Sequence, residues 1–110
     1  MKFETNTQGG ITLECKEISA VDMKSILFGY NRVQIVDVRE VDEYRDGHIE
    51  GSTLIPLGIL PYRVDTLKRD QPVVLVCRSG NRSAQACQIL RDRGFDAVSL
   101  RGGLTNWHSA

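Results

Sequence analysis

The sequence predicts an α/β domain with a parallel sheet, and two observations support that prediction. Short apolar runs alternate with segments of helical spacing, which is typical of β-α-β folds. Residues 72–77 form an unbroken apolar run, which indicates a parallel strand covered on both faces. We expect residues 1–10 to be a flexible arm and residues 11–110 to form a single domain, since this length suffices for one hydrophobic core.

The first predicted elements follow the arm. Residues 11–18 can hold one or two short edge strands. Ser19 is a suitable N-cap for a helix, and Asp22 occupies the third helical position in a variant of the capping box. The helix should end near Phe28, because Gly29 follows. The side chains that it should bury are Met23, Ile26 and Leu27.

Strands and helices then alternate to the end of the chain. The predicted elements are strand 33–38, helix 41–45, strand 53–55, helix 60–68, strand 72–77, helix 83–93, strand 97–100 and a short helix after Gly102 and Gly103. The helix over 83–93 is the clearest, and Gly94 followed by Phe95 should form its C-cap. Its apolar positions are Ala84, Cys87 and Leu90 on one face, with Ala86 and Ile89 beside them.

The charge balance argues against several classes of partner. Fourteen basic residues balance fourteen acidic ones and the pI is about 6.7, so we expect no nucleic-acid partner and no membrane partner. The first residues lack the apolar run of a secretory signal. No segment approaches the ~20 apolar residues that span a bilayer. We therefore expect a cytoplasmic location.

The three cysteines predict a reduced compartment rather than a disulfide scaffold, because their number is odd and their spacing is not paired. A bridge between Cys15 and Cys87 is the less favoured alternative. Cys87 is expected to be inert packing, with a resolving role for an oxidised Cys77 as the alternative, and Cys15 stays unassigned. The histidines and cysteines show no metal-ligand spacing, so no metal is expected.

Cys77 is the candidate catalytic residue. It ends the clearest strand, and sites in open α/β sheets form outside the carboxyl ends of strands. A short loop and a helix follow, so backbone N–H groups and the positive end of the helix dipole should face the sulfur. These donors and two loop arginines favour the thiolate and an anionic substrate, so no histidine base is needed. The loop comprises Arg78, Ser79, Gly80, Asn81, Arg82 and Ser83.

A cysteine at a strand end is more often a small buried hydrophobe than a nucleophile. The loop favours the catalytic interpretation, because two arginines, a serine, an asparagine and a glycine contribute little to a core. Gly80 and Asn81 are residue types that tolerate the left-handed backbone of a tight cradle.

Four stretches in this order resemble the rhodanese (thiosulfate sulfurtransferase) family, specifically its single-domain members. They are residues 35–40 (IVDVRE) with Glu43 and Tyr44, residues 47–52 (GHIEGS) with Ile55 and Pro56, residues 74–83 (VLVCRSGNRS), and residues 100–103 (LRGG) with Trp107. Together they cover nearly the whole predicted domain.

This resemblance implies a small parallel sheet flanked by helices on both faces. It also implies a two-step sulfur transfer. Cys77 would take the outer sulfur of thiosulfate or of a persulfide donor and form a persulfide. It would then pass this sulfur to a thiol, to cyanide or to a protein acceptor. Amides of residues 78–83 would stabilise the sulfur anion, and no cofactor is implied.

The remaining motif residues are expected to have mainly structural roles, which for Asp37 and Arg39 is what the resemblance implies. Asp37 and Arg39 should be ion-paired framework residues beside the loop. His48, between two glycines, should make structural hydrogen bonds. Gly102 and Gly103 should allow close packing, and Trp107 should anchor the edge of the core.

Two other functions remain as alternatives. Phosphatases and arsenate reductases on related scaffolds have five residues between the cysteine and the arginine, whereas four residues separate Cys77 from Arg82 here. The shorter loop suits a sulfur atom better than a tetrahedral phosphate. The other alternative is a sulfur-carrier or regulatory module without thiosulfate turnover, although regulatory modules often lack the cysteine.

Overall fold

The computed structural model describes residues 7–8, 11–12, 15–28 and 32–109. Much of the predicted arm, including Gly9 and Gly10, lies outside the described residues, as does Gly29. The strands are β1 (Thr7–Gln8), β2 (Ile11–Thr12), β3 (Glu17–Ile18), β4 (Gln34–Asp37), β5 (Thr53–Leu54), β6 (Val73–Val76) and β7 (Ala97–Leu100). The α-helices are α1 (Ala20–Phe28), α2 (Val41–Arg45), α3 (Asn81–Asp92) and α4 (Gly103–Ser109).

Five of these strands form a parallel sheet in the order β3-β7-β6-β4-β5, which confirms the predicted α/β class. The central strand is β6, and all four of its residues are buried. Its register with β4 places Asp37 opposite Val76, so Asp37 lies level with the end of β6, one residue before Cys77. Strands β1 and β2 form a separate antiparallel pair.

Helices cover both faces of the sheet. Because side chains alternate along a strand, Val73, Leu75 and Cys77 face one core cluster, which includes Ala86 and Leu90 of α3. Val74 and Val76 face the opposite cluster, built with α1 and α4. Its members from those helices are Met23, Ile26 and Leu104. Cys77 therefore lies on the face of the sheet that α3 covers.

Helix α1 begins as predicted, since the Asp22 amide donates to Ser19 Oγ at 3.0 Å. The expected burial of Met23 and Ile26 is confirmed, but that of Leu27 is wrong, because Leu27 is 38% exposed. Its turn of the helix lines an open cleft with Trp107 instead of packing on the sheet.

The predicted helix over 60–68 is instead two short 3₁₀ turns, Leu60–Tyr62 and Val64–Thr66. Between them Arg63 has φ −124° and ψ 8°, which interrupts helical geometry. Leu60 and Val64 are still buried, so this segment covers the core without a continuous helix.

Helix α3 begins at Asn81, two residues earlier than predicted, because Gly80 turns the chain at φ +110°. Asn81 itself is helical, which corrects the expectation of a left-handed cradle position. Ala84 is exposed, contrary to the prediction, since the buried face is centred on Ser83. The buried residues of α3 are Ser83, Ala86, Cys87 and Leu90.

The predicted C-cap of α3 is confirmed. Gly94 has φ +88°, and the Phe95 amide donates back to the Leu90 carbonyl.

The structure joins Cys15 and Cys87 in a disulfide, which was the less favoured expectation. Their Cα atoms are 5.9 Å apart, within the normal range for a disulfide. Their separation of 72 residues explains why spacing along the sequence gave no signal. Cys87 is thus a buried partner of Cys15, not an isolated packing residue.

Candidate active site at the end of β6

Cys77 follows β6 directly and is 1% exposed. The Gly80 amide donates to its sulfur at 3.0 Å, and the Ser83 amide donates at 3.3 Å. Both donors lie where the loop turns into α3, so the positive end of the helix dipole reinforces them. The arrangement can stabilise negative charge on a sulfur atom, as the sequence predicted for this loop.

The start of α4 holds the other side of the loop. The Leu104 amide donates to the Cys77 carbonyl at 2.9 Å, and Thr105 donates to the Arg78 carbonyl through both its amide and its hydroxyl. The carbonyls of Cys77 and Arg78 therefore accept hydrogen bonds from α4, while the Gly80 and Ser83 amides donate to the sulfur. A side chain at Gly103 would collide with both carbonyls, so glycine is needed for this close approach.

A buried hydroxyl pair lies beneath the sulfur. Ser83 Oγ is 3.4 Å from Cys77 Sγ, donates to the Gly80 carbonyl at 3.1 Å and is 2.7 Å from Ser99 Oγ. Ser99 is fully buried in β7. It was missed by sequence reasoning, and the only signal was a serine within an apolar strand.

Arg82 is an ion-pair partner and not a free cation at the loop. Its two terminal nitrogens donate to the two Glu43 carboxylate oxygens at 2.6 and 2.8 Å. This hydrogen bonding is the main reason that the pKa of Glu43 falls to about 2, with a second contribution from the Glu40 amide. The same pair raises the pKa of Arg82. Glu43 was absent from the predicted site, although it belongs to one of the family motifs.

Arg39 and Asp37 form the predicted ion pair. Arg39 Nε donates to Asp37 Oδ1 at 2.9 Å and its Nη2 donates to Oδ2 at 2.8 Å. Both residues are buried, and hydrogen bonding to Asp37 is the main reason that the pKa of Arg39 rises. Arg39 also donates to the Gly47 carbonyl at 2.8 Å, so the pair connects the end of β4 to the turn containing His48.

His48 makes structural contacts, as expected. Its Nδ1 donates to the Tyr44 carbonyl at 2.8 Å and its ring stacks on the Tyr44 ring at 3.7 Å. In the part of the chain that the structure describes, no His, Cys, Asp and Glu side chains cluster as metal ligands. In that same part, no helix is long and apolar enough to cross a membrane.

Arg78 is the loop arginine that faces an open cleft. Its side chain is exposed and lines a cavity of about 400 Å³ together with Asp46, Thr105 and His108. Among residues 15–28 and 32–109, no ion pair engages its guanidinium. Ser79 and Asn81 are exposed on the same loop, and neither is a recorded hydrogen-bond partner of the Cys77 sulfur.

Fold and site together define a parallel α/β domain in which two backbone amides converge on the sulfur of a buried cysteine. A family model described as Rhodanese-like domain matches residues 19–110. The chain therefore belongs to the family of rhodanese-like domains, as its motifs indicated.

Two similar relatives are named as sulfurtransferases. The chain is 36% identical over 95 residues to the putative sulfurtransferase YtwF of Bacillus subtilis, covering 86% of this chain and 92% of YtwF. It is 40% identical over 79 residues to the thiosulfate sulfurtransferase GlpE of Shewanella oneidensis, covering 71% of this chain and 78% of GlpE. A crystal structure of a rhodanese-like domain protein from Staphylococcus aureus superposes with a TM-score of 0.80 at 35% identity, covering 84% of this chain and 90% of that protein. Family and relatives support sulfur transfer as the general activity.

Proposed function

We propose that the protein is a thiosulfate sulfurtransferase in which Cys77 carries the transferred sulfur as a persulfide. The single observation that carries the proposal is the convergence of the Gly80 and Ser83 amides on Cys77 Sγ. Two amide donors and a helix N-terminus favour the thiolate, which is the nucleophilic form of cysteine. The family membership supports the same activity, because relatives of this chain are named as sulfurtransferases.

In the first step, the Cys77 thiolate attacks the outer sulfur of thiosulfate. A bond forms between Cys77 Sγ and that sulfur, and the bond within thiosulfate breaks. Its electron pair leaves with sulfite, so the three negative charges of the reactants remain as a persulfide anion and a sulfite dianion. No proton is transferred in this step, which is why the site needs no histidine base.

In the second step, an acceptor thiolate or cyanide attacks the terminal sulfur of the persulfide. The bond to Cys77 Sγ breaks and its electron pair returns to that atom, so the thiolate is regenerated. The Gly80 and Ser83 amides stabilise the sulfur anion before and after this step. A protein acceptor would present its thiol in the same way.

Arg78 is the residue that we assign to the anionic donor. Arg78 follows Cys77 directly and lines an open cleft, whereas the charge of Arg82 is matched by Glu43. This division also disfavours phosphatase chemistry. A phosphate site uses an arginine fork toward the anion, and the fork of Arg82 is occupied by the Glu43 carboxylate.

A steady-state assay tests the proposal. The protein is incubated with thiosulfate and cyanide, and thiocyanate is measured for the wild type and for Cys77→Ser, with an aryl phosphate as the competing substrate. We expect thiocyanate from the wild type only. A persulfide without turnover would indicate a sulfur carrier, and phosphate release without sulfur transfer would indicate a phosphatase.

A further inference from the structure

Ser99 is a fully buried residue whose hydroxyl has no part in the two steps described above. It lies in β7 in register with Leu75 of β6, so both side chains point to the face of the sheet that α3 covers. The core cluster on that face includes the apolar side chains of Val73, Ala86 and Ala97. A hydroxyl in such surroundings needs a hydrogen-bond partner, because an unpaired buried hydroxyl is destabilising.

The partner of Ser99 is the Ser83 hydroxyl. The two oxygen atoms are 2.7 Å apart, and among the described residues no other polar group bonds the Ser99 hydroxyl. The Ser99 proton is therefore satisfied only when Ser99 donates to Ser83. In the opposite direction, the single proton of Ser83 would point away from Cys77, and the Ser99 proton would have no acceptor.

This direction leaves the Ser83 proton available to the sulfur. Two acceptors lie within reach of Ser83 Oγ, the Gly80 carbonyl at 3.1 Å and Cys77 Sγ at 3.4 Å. The Gly80 carbonyl also accepts from the Ala84 amide at 3.1 Å, so it stays paired when the Ser83 hydroxyl turns to the sulfur. With an anionic sulfur, Ser83 donates to Cys77 and accepts from Ser99, and each hydrogen bond of this hydroxyl chain strengthens the other.

We propose that Ser99 is a positioning residue that acts through Ser83 to stabilise Cys77 Sγ as the leaving group of the second half-reaction. This role rests on the proposed function, since it requires a persulfide at Cys77. In the persulfide, the negative charge resides on the outer sulfur. When cyanide attacks the outer sulfur, a carbon–sulfur bond forms, the bond to Cys77 Sγ breaks, and the electron pair of the broken bond passes to Sγ. The hydrogen bond from Ser83 to Sγ is therefore stronger in the transition state than in the persulfide.

The first half-reaction should depend less on the hydroxyl chain, because negative charge leaves Cys77 Sγ as that atom attacks thiosulfate. Without the hydrogen bond from Ser83, a smaller fraction of the sulfur would be thiolate, but each thiolate would be more reactive. These two effects oppose each other. Loss of the Ser99 hydroxyl should therefore slow the second half-reaction selectively.

The test measures the two half-reactions separately in the wild type and in Ser99→Ala. Sulfite release after mixing with thiosulfate follows the first, and thiocyanate formation after mixing the desalted persulfide form with cyanide follows the second. We expect Ser99→Ala to slow the second about three- to tenfold, the effect of one hydrogen bond, and to change the first by less than about twofold.

The outcomes distinguish this role from the proposed function. Intact mass shows whether the wild type forms the persulfide, and a wild type that forms none would contradict the proposed function itself. If the persulfide forms but Ser99→Ala does not slow the second half-reaction selectively, the role of Ser99 is overturned and the proposed function stands.

Two further variants separate action through Ser83 from a general loosening of β7. Val98→Ala is the matched control, since it removes apolar volume from the same strand on the opposite face, and it should keep the wild-type ratio of the two rates. Ser83→Ala should slow the second half-reaction, and adding Ser99→Ala to it should cause no further slowing, because the hydroxyl chain is already broken. Additive losses, or the same selective slowing in Val98→Ala, would contradict action through Ser83.

Discussion

At the scale of single residues, the two arginines of the catalytic loop have different surroundings. Arg82 is held by two hydrogen bonds to Glu43, whereas Arg78 is exposed and lines an open cleft. Since a charge already matched by a carboxylate attracts an anion only weakly, donor binding should depend on Arg78.

We therefore expect Arg78→Gln to lower kcat/KM for thiosulfate by about 10- to 100-fold, since a hydrogen bond to a charged group contributes about 1.5–3 kcal/mol. Stability should change little, because the side chain is exposed. The matched control is Arg63→Gln, an exposed arginine that does not line this cleft. An equal loss of activity in both variants would argue against a specific donor contact.

Gly103 illustrates a second residue-scale requirement. It has φ +59°, and an added Cβ would collide with the carbonyl oxygens of Cys77 and Arg78. We expect Gly103→Ala to cost about 1–3 kcal/mol in the free energy of unfolding and to reduce sulfur transfer, because α4 must move away from the loop. Urea unfolding and thiocyanate formation measure the two effects.

Gly58→Ala is the control for that experiment. Gly58 has no positive φ and nothing lies within 4 Å of an added Cβ, so this variant should keep its activity and its stability. If Gly103→Ala were as stable and as active as Gly58→Ala, the close approach of α4 to the loop would not matter.

At the scale of elements, the bidentate pair of Glu43 and Arg82 connects α2 to α3. The pKa of Glu43 is lowered from 4.5 to about 2, mainly by the hydrogen bonds from Arg82. Because the folded state binds this proton less readily than the unfolded state, the pair stabilises the fold fully above about pH 4.5. That contribution is lost as the pH falls toward 2.

Urea unfolding of the wild type and of Glu43→Gln measures this contribution. We expect the wild type to be more stable at pH 6, and the difference should shrink as the pH is lowered from 4.5 to 2. Glu50→Gln, at an exposed position for which the described structure records no ion pair, should not reproduce this pH dependence. A difference that does not vary with pH would contradict the assignment.

The secondary-structure elements could be predicted where the local sequence pattern determines them. The apolar run of β6 and the alternation of strands and helices indicated the parallel sheet, and the loop after Cys77 indicated the cradle. The segment over 60–68 was predicted as a single helix, but the backbone of Arg63 divides it into two turns. The start of α3 depends on the positive φ of Gly80, which sequence pattern does not locate to the residue.

At the scale of the whole molecule, the contacts that sequence reasoning missed or disfavoured are long-range. Glu43 meets Arg82 across 39 residues, and Cys15 meets Cys87 across 72 residues. Both contacts depend on strand order and on how far each helix is rotated about its axis, and neither follows from local periodicity. The buried position of Ser99 beneath the sulfur has the same origin, since it requires β7 to lie beside β6.

The disulfide should contribute to global stability. Closing a loop of this length restricts the unfolded chain and contributes about 4 kcal/mol by chain-entropy estimates. We expect a reductant to lower the free energy of unfolding of the Cys77→Ser protein, measured by urea unfolding, by about that amount. The Cys15→Ala variant in the same background should not respond to the reductant, and a response equal to that of the intact pair would show that the disulfide is not the cause.

The central claim is that Cys77 holds the transferred sulfur, and intact-mass spectrometry after incubation with thiosulfate tests it most directly. The account predicts a gain of about 32 Da, one sulfur atom bound covalently, in the wild type and in the Cys15→Ser and Cys87→Ser variants. It predicts no gain in Cys77→Ser. An adduct of that mass persisting in Cys77→Ser would contradict the account.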